Sequence, residues 1–425
     1  MRRRSGITLA AALLAAAWPT AASPARAATM PVNHIVVLIQ ENRSFDTYLG
    51  QLQGEGQPHA EGEPAGASNP NPTDAAGMPI RPFHKTTYCE VGGDLDHSWT
   101  GTHQEIDGGR MDGFTAANAN SADPTGSRTM GYYDQSDLPF YYGLYNTFAT
   151  GDRYFSSVPG PTFPNRFYLL AGTSFGHIRN DLPPPDGFTQ KTIFELLDQA
   201  HISWRIYFSE VPFAAGFAYV RNHALGHIAP MASYYLDAAS GQLPQVSFID
   251  PILVGLPSFE NDEHPPSNVQ VGETFVADVV NALIRSPAWP SSALFLTYDE
   301  HGGYYDHVAP PAAPVPDAIP PMLQAGDTAA AFDSLGVRVP VAVVSPWAKP
   351  HFVSHVVHDH TSILRFIETR FGLPALTARD AAADPMLEFF DFDHAALKRP
   401  PNLPAAPVDL GQELQCALTP PALGL

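Results

Sequence analysis

Three short runs of the sequence are almost continuously apolar, and they limit the folds that the chain can adopt. They are HIVVLIQ at 34–40, ALFLTY at 293–298 and VPVAVV at 339–344. A strand with one face in solvent alternates apolar and polar residues, whereas unbroken runs are typical of strands covered on both faces. The runs are also much shorter than the about 18 residues of a membrane span. The sequence therefore predicts a buried sheet with helices on both faces.

Segments with helical character lie between the predicted strands. We predict helices at 137–149, 191–200, 273–285 and 360–371, the last with Asp359 as its N-cap. Further short strands are expected at 206–208 and 246–249. Strands that alternate with helices predict an α/β fold with a mostly parallel sheet.

Three stretches of the chain lie outside the predicted strands and helices. Residues 51–80 lack hydrophobic periodicity and predict a long surface loop, 309–321 predicts a second extended stretch, and 400–425 predicts a proline-rich tail that wraps the surface. Core-forming segments lie on both sides of each loop, so neither loop is expected to separate two domains. We therefore expect one catalytic domain over residues 28–425 that ends in the proline-rich tail.

The first 27 residues have the pattern of a signal peptide. Three arginines at 2–4 precede an apolar run at 7–17, and Ala25-Arg26-Ala27 fits a cleavage site. A buried N-terminal helix is the alternative. We expect an exported protein, periplasmic or secreted, without a transmembrane anchor. In that environment Cys89 and Cys416 could form a disulfide or stay as two free thiols, which the sequence leaves open.

The charge of the chain excludes one class of partner. The formal net charge is −20, and only four of the 23 basic residues are lysines. Nucleic-acid phosphates are held by clustered lysine and arginine, so we do not expect a nucleic-acid partner. Adsorption to an anionic membrane is disfavoured for the same reason.

Polar residues follow the predicted strands directly. Glu41 and Asn42 follow the first, Asp250 follows the strand at 246–249, Asp299 and Glu300 follow the strand at 293–298, and Ser345 follows the last. Because the carboxyl ends of parallel strands share one edge of a sheet, we expect these groups to converge. Glu41, Asn42, Asp299 and Glu300 offer oxygen ligands for a divalent cation, which could be Ca²⁺, Mg²⁺, Mn²⁺ or Zn²⁺.

Two hydroxyl groups are candidate nucleophiles. Thr162 lies at a predicted helix start in PGPTFPNR, where helix amides face an anion and a metal-bound hydroxyl could attack phosphorus. The alternative is an ordinary capping threonine. Ser174 lies in GTSFG, which matches the G-x-S-x-G elbow, but the segment before it is predicted helical and the elbow needs a strand there.

The histidines supply candidate proton donors. They cluster near the acidic segments, with His97 and His103 in one segment, His264 in another, and His301 and His307 in DEHGGYYDH. Cleavage of a phosphoester that expels an alkoxide needs such a donor near neutral pH.

Taken together, these segments resemble the bacterial phosphoesterase family of non-specific phospholipases C and related acid phosphatases. The segments that carry the resemblance are HIVVLIQENRSFDTYLG at 34–50, DHSWTGTHQEIDGGRMDGF at 96–114, VPGPTFPNRFYLLAGTS at 158–174, ENDEHPPSNV at 260–269, LTYDEHGGYYDHVAPP at 296–311 and the block at 339–368. The resemblance implies an alkaline-phosphatase-like three-layer sandwich and a hydrolase that acts on phosphoric esters. Threonine at 162 looks more like the phospholipase C branch, since the phosphatase branch tends to use serine.

The resemblance also implies roles for individual residues. Thr162 would be the nucleophile that becomes phosphorylated. The metal site is expected to comprise Glu41, Asn42, Thr162, Asp299 and Glu300. The expected catalytic histidines are His97, His103, His264 and His301, and the expected substrate contacts are Asn42 and Asn165. The predicted activity is hydrolysis of phospholipid headgroups, with a phosphomonoesterase of the same fold or a non-enzymatic exported binding protein as alternatives.

Overall fold

An eight-stranded sheet forms the centre of the protein. The computed structural model describes residues 30–74, 76–90, 93–253 and 260–418. The strand order is β10-β4-β9-β8-β1-β7-β5-β6, and β2 and β3 form a separate pair. The strands are β1 His34–Gln40, β2 Phe83–His84, β3 Gly131–Tyr132, β4 Ala149–Gly151, β5 Trp204–Phe208, β6 Ile228–Pro230, β7 Val246–Asp250, β8 Ser292–Tyr298, β9 Val341–Val344 and β10 Val353–Ser354.

The sheet is parallel except at β9. At its centre, Val37 of β1 lies opposite Phe248 of β7 and Phe295 of β8, both in parallel register. β9 pairs antiparallel with both β8 and β4. The prediction of a mostly parallel sheet is confirmed.

The reversed direction of β9 corrects one expectation. Ser345 follows β9 and so lies at the edge of the sheet where the parallel strands begin. Its Oγ donates a hydrogen bond of 2.8 Å to the carbonyl oxygen of Ser292, the first residue of β8. The prediction that Ser345 joins the other strand-end residues is wrong, because an antiparallel strand ends at the opposite edge.

Helices cover both faces of the sheet, which confirms the three-layer α/β architecture. The helices pack in two groups, α9 with α4 and α8, and α5 with α6 and α10, and successive residues of β1, β7 and β8 are buried on both faces of the sheet. The helices are α1 Phe45–Leu49, α2 Trp99–Ile106, α3 Phe114–Ala117, α4 Pro139–Thr147, α5 Thr162–Ala171, α6 Ile193–Gln199, α7 Ala218–Asn222, α8 Met231–Ser240, α9 Val269–Ile284, α10 His360–Phe371, α11 Ala378–Ala382 and α12 Leu410–Ala417.

Local sequence signals set the ends of these helices. All four predicted helices are present, as α4, α6, α9 and α10, and Asp359 caps α10 as predicted by accepting a hydrogen bond from the Thr361 amide. The tail at 400–425, for which the sequence predicted a proline-rich surface segment, contains α12. Asp409 caps this helix through the amides of Gly411 and Gln412.

The tail is tied to the body of the protein by a disulfide. Cys89 and Cys416 are 327 residues apart in sequence, and their Cα atoms are 5.5 Å apart in the bonded pair. This settles the pairing that the sequence left open. Among the described helices, none is both long and apolar enough to cross a bilayer. The predicted signal peptide at 1–27 lies outside the described residues.

Candidate active site

Acidic residues from three parallel strands meet at one edge of the sheet. Glu41 follows β1, Asp250 ends β7 and Asp299 follows β8, and all three are buried. The backbone holds the loops together, since the Asp299 amide donates to the carbonyl oxygen of Gln40 at 3.0 Å. The Asn42 amide lies 3.3 Å from Oδ1 of Asp299. The expectation that strand ends bring these residues together is met at β1, β7 and β8.

A buried arginine lies among these three carboxylates. In Arg166, which is 1% exposed, Nη2 is 2.9 Å from Oε1 of Glu41 and Nε is 3.3 Å from Oδ2 of Asp299. Nη1 is 3.6 Å from Oδ1 of Asp250. Sequence reasoning gave Arg166 no role. One signal was available, because Arg166 follows Thr162 by four residues and therefore shares its face of the helix.

Thr162 is the first residue of α5. Because Arg166, one turn later, contacts the strand-end carboxylates, the start of this helix lies near them. The amide of the second residue, Phe163, donates to Oδ1 of Asn180 at 2.9 Å, and the third residue, Pro164, has no amide hydrogen. Among the first three residues of α5, the described contacts leave the amide of Thr162 as the donor that can face an anion. Thr162 itself is buried, with 5% of its surface exposed.

Asn165 fixes the loop that leads into α5. Its Oδ1 accepts a hydrogen bond from the Val158 amide, and its Nδ2 donates to the carbonyl oxygens of Gly160 and Pro161 at 2.8 and 3.1 Å. The side chain is wholly buried. These bonds hold Thr162 in place and give no support to a substrate contact by Asn165, which stays a prediction.

Asn42 and Glu300 contribute buried polar atoms that lack hydrogen-bond partners among the described residues. These atoms are Nδ2 and Oδ1 of Asn42 and Oε1 of Glu300. Asn42 has a left-handed backbone with φ of 60°, which is uncommon outside glycine. Gly302 lies against it, and a Cβ at Gly302 would be 2.5 Å from the Asn42 carbonyl oxygen. Glycine at 302 therefore lets the two loops meet.

The carboxylates at this edge outnumber the positive charges near them. Burial raises the pKa of Glu41 to about 7, although Arg166 opposes the shift. Burial, reinforced by Glu41, raises the pKa of Asp299 to about 8, and burial raises that of Asp250 to about 6. One arginine does not compensate three buried carboxylates. The unpartnered oxygens of Asn42 and Glu300 and this excess of negative charge fit a divalent cation.

Two half-buried histidines border the carboxylates. Nε2 of His97 is 4.0 Å from Oε1 of Glu300, and Nε2 of His264 is 3.6 Å from Oδ2 of Asp94. The two rings have their centroids 6.0 Å apart. Although burial disfavours the charged ring, Glu300 and Asp94 raise the pKa of His97 to about 10. Sequence reasoning selected both histidines but missed Asp94.

The other two predicted catalytic histidines are placed differently. His301 is fully buried, with Nε2 2.7 Å from Oε2 of Glu105 and Nδ1 3.3 Å from Oε2 of Glu300. It therefore supports Glu300 from the interior. His103 bonds through Nδ1 to the Trp99 carbonyl oxygen at 2.6 Å and packs on the Trp99 ring. The structure brings His97 and His264 to the acids and joins His103 to Trp99.

His307 belongs to a separate buried network that joins two of the sequence motifs. Its Nδ1 is 2.7 Å from Oδ2 of Asp46, which lies in ENRSFD. Arg338 is 2.9 Å from both Asp46 and Asp306, so the charges of this group are paired. His307, one of the candidate proton donors, therefore lies with Asp46 and not with the strand-end carboxylates.

Ser174 lacks the setting of a nucleophile elbow. The helix α5 precedes Ser174, and no helix begins between Ser174 and Ile193. Its side chain is wholly buried, and its Oγ has no hydrogen-bond partner in the described structure. The match to G-x-S-x-G is therefore fortuitous.

Comparison with known proteins places this site in a family. A model of the phosphoesterase family matches residues 32–374. The chain belongs to the phosphoesterase family. It is accordingly a hydrolase that acts on phosphoric esters, as the sequence predicted.

Several relatives in the phosphoesterase family are named as phospholipases C. The chain is 35% identical to non-specific phospholipase C1 of Arabidopsis thaliana, with 85% of this chain and 71% of that protein covered. It is 32% identical to phospholipase C B of Mycobacterium tuberculosis, with 95% and 89% covered. It is 33% identical to non-hemolytic phospholipase C of Pseudomonas aeruginosa, with 95% and 65% covered.

Likeness to solved structures is weaker. A Vibrio parahaemolyticus protein in the alkaline phosphatase superfamily aligns over 83% of this chain and 69% of its own. The TM-score is 0.40 and the identity 9%, which is too low to add to the sheet order described above.

Proposed function

We propose that this phosphoesterase is a metal-dependent phospholipase C that hydrolyses the headgroup phosphodiester of phospholipids through a phospho-threonine intermediate. The names of its relatives support the substrate class. The observation that carries the proposal is the placement of Thr162. It is the first residue of α5, and Arg166 ties the same helix to Glu41 and Asp299.

The proposed cation ligands are Glu41, Asn42, Thr162, Asp299 and Glu300. A divalent cation bound there would lower the pKa of the Thr162 hydroxyl and neutralise charge on the phosphoryl oxygens. The unpartnered side-chain atoms of Asn42 and Glu300 support this ligand set. The sequence and the structure leave the choice among Ca²⁺, Mg²⁺, Mn²⁺ and Zn²⁺ open.

The protein's own groups account for positioning and proton transfer. The Thr162 hydroxyl gives up its proton to solvent, its Oγ1 attacks phosphorus, and the amide of Thr162 donates to a phosphoryl oxygen. His97, held as a cation between Glu300 and Asp94, pairs with a second phosphoryl oxygen. The bond from phosphorus to the diacylglycerol oxygen breaks, and Nε2 of His264 gives that oxygen its proton.

Water completes the reaction in a second displacement. His264, now neutral, accepts a proton from the water that attacks the phosphorus of phospho-threonine. The bond from phosphorus to Oγ1 of Thr162 breaks, the phosphorylated headgroup leaves, and Oγ1 takes a proton back from solvent. His264 suits both steps because the Pro265 carbonyl oxygen holds its Nδ1 at 2.5 Å and so fixes the direction of Nε2.

Phosphorus NMR of the products tests this proposal. Metal-replete protein is incubated with phosphatidylcholine vesicles and, separately, with a simple phosphomonoester. We expect phosphocholine from the lipid, and a loss of turnover on the order of 10³-fold or more in Thr162→Ala. Ser174→Ala is the matched control, because it removes another buried hydroxyl and should leave turnover unchanged.

The other outcomes separate the alternatives. Inorganic phosphate from the monoester, with no phosphocholine from the lipid, would make the chain a phosphatase with the same site. Turnover that survives Thr162→Ala would contradict the assignment of Thr162 as the nucleophile. Turnover that survives exhaustive chelation would contradict the requirement for a divalent cation.

We also infer that the protein works outside the cytoplasm, as a single catalytic domain over residues 28–425. The signal-like sequence at 1–27 and the Cys89–Cys416 disulfide support this location. Sequencing the N-terminus of protein recovered from culture medium or periplasm tests the inference. A start near residue 28 is expected, and a start at residue 1 would overturn the cleavage.

A further inference from the structure

The last helix carries an apolar face that is turned to solvent. Leu410, Leu414 and Leu418, here called the leucine face, are spaced four residues apart along α12 and its C-cap. They are 77%, 64% and 78% exposed. Side chains at this spacing lie on one side of a helix.

The opposite side of α12 is fastened to the protein. Oε1 of Gln412 accepts a hydrogen bond from the Tyr88 amide at 2.9 Å, and Oε2 of Glu413 accepts one from Asn268 at 2.9 Å. Cys416 adds the disulfide. Because these attachments fix the rotation of the helix, the leucine face stays directed outward.

The helix α12 is fastened to the segment that carries His264. Asn268, which binds Glu413, caps α9 and follows His264 by four residues. Oγ of Ser267 donates to the His264 carbonyl oxygen at 2.5 Å, so one short segment carries the histidine and holds the helix. A surface that met the leucine face would therefore be joined to the site through this segment.

We propose that the leucine face docks the enzyme onto the surface of a zwitterionic phospholipid bilayer, an inference that rests on the proposed phospholipase activity. Short helices with one apolar side bind at the boundary of headgroups and acyl chains in this way. The residues that follow, TPPALGL at 419–425, add no charged side chain.

Charge and size favour a zwitterionic bilayer over an anionic bilayer or a second copy of the chain as the partner of the leucine face. The helix contains no lysine or arginine, and the chain carries a net charge of −20, so an anionic bilayer would repel it. A helix of eight residues is only about 12 Å long. Its face is far smaller than the roughly 800 Å² per partner that a stable dimer needs, which disfavours a second copy of the chain.

Vesicle binding without turnover tests the docking. Full-length protein with Thr162→Ala is sedimented with dioleoylphosphatidylcholine vesicles, with and without glutamine at the three leucines of the leucine face. We expect a loss of vesicle affinity of roughly tenfold for each leucine replaced. The matched control places glutamine at Leu182, Leu225 and Leu236, which are 76%, 99% and 70% exposed elsewhere, and should bind as the parent does.

Turnover by enzyme with threonine at 162 separates this proposal from the proposed function. The leucine-face variant should lose hydrolysis of vesicles and keep, within about twofold, hydrolysis of a water-soluble nitrophenyl phosphocholine diester. If the parent cleaves neither substrate, the proposed function fails, while the binding result still decides the docking.

Three results would overturn the docking. They are unchanged vesicle affinity in the leucine-face variant, an equal loss in the control variant, and a parent dimer that the variant converts to monomer in analytical ultracentrifugation. A thermal melt and a thiol count on each variant confirm that it is folded and that its disulfide is intact.

Discussion

Replacing Glu41 by glutamine should stabilise the cation-free protein at alkaline pH while weakening cation binding. Oε1 of Glu41 accepts a hydrogen bond from Arg166, and a glutamine oxygen can do the same. The substitution therefore removes a buried charge and keeps the shape and this hydrogen bond. Its effect on stability should follow the titration of Glu41.

The direction and size of the effect follow from the raised pKa. Burial raises the pKa of Glu41 from 4.5 to about 7, so the native state holds a proton over this range that the unfolded state has lost. The wild-type protein therefore loses stability as the pH rises from about 4.5 to about 7. A shift of this size corresponds to about 3 kcal/mol. With an unfolding entropy of roughly 2.1 cal/mol/K per residue, this is a difference of about 4 °C in Tm.

Calorimetry of chelated protein at pH 4.5 and pH 8 measures this effect. Glu41→Gln should match wild type at pH 4.5 and melt about 4 °C higher at pH 8. The control is Asp186→Asn, which replaces an exposed carboxylate by an amide and should melt as wild type at both pH values. With a divalent cation present the order at pH 8 should reverse, because only wild type keeps the full ligand set. A variant no more stable than wild type at pH 8 in chelator would refute the reasoning.

Three other substitutions test separate parts of the structure. Gly302→Ala should lower the free energy of unfolding by roughly 1–3 kcal/mol in urea titrations, since its φ is 65° and a Cβ would meet the carbonyl oxygen of Asn42; unchanged stability would contradict the tight contact. His264→Asn should reduce kcat on a soluble diester by about 10²–10⁴-fold without changing Tm, and a normal kcat would exclude it as the proton donor. Replacing Cys89 and Cys416 by serine should cost about 2–5 kcal/mol of stability, and an unchanged melt would show that the tail folds independently.

The fold was predictable because its strands are buried on both faces. The runs around Val37 and Phe295 have no polar alternation, which specifies helices on both sides. The direction of each strand within the sheet was harder to predict from the sequence. The apolar run before Ser345 has the same pattern as the runs that form parallel strands. The antiparallel direction of β9 is set by the connection that precedes this strand, which the pattern does not record. The helix α12 was missed because the prolines of the tail obscured the cap at Asp409.

The acidic residues of the site could be predicted from the sequence, whereas the arginine that lies among them could not. Glu41 and Asp299 follow buried strands directly, so topology alone brings them together. Arg166 reaches them from a helix, and only its spacing from Thr162 signals that it faces the same way. The contacts of Asp94 and Asn165 could not be predicted from the sequence. They depend on the path of the loops, which leaves no periodic pattern in the sequence.

The separation of the site residues along the chain has a consequence for when activity can appear. Glu41 and Asp299 become neighbours only after β1 and β8 have paired across more than half of the sequence, and α5 must then dock from a third region. Such long-range pairings form late in folding. A fragment that lacks any of these three regions lacks one of the acids, or the arginine and the threonine. A chain that is still unfolded therefore holds no assembled site, and phosphoester hydrolysis is expected to appear only when the sheet is complete.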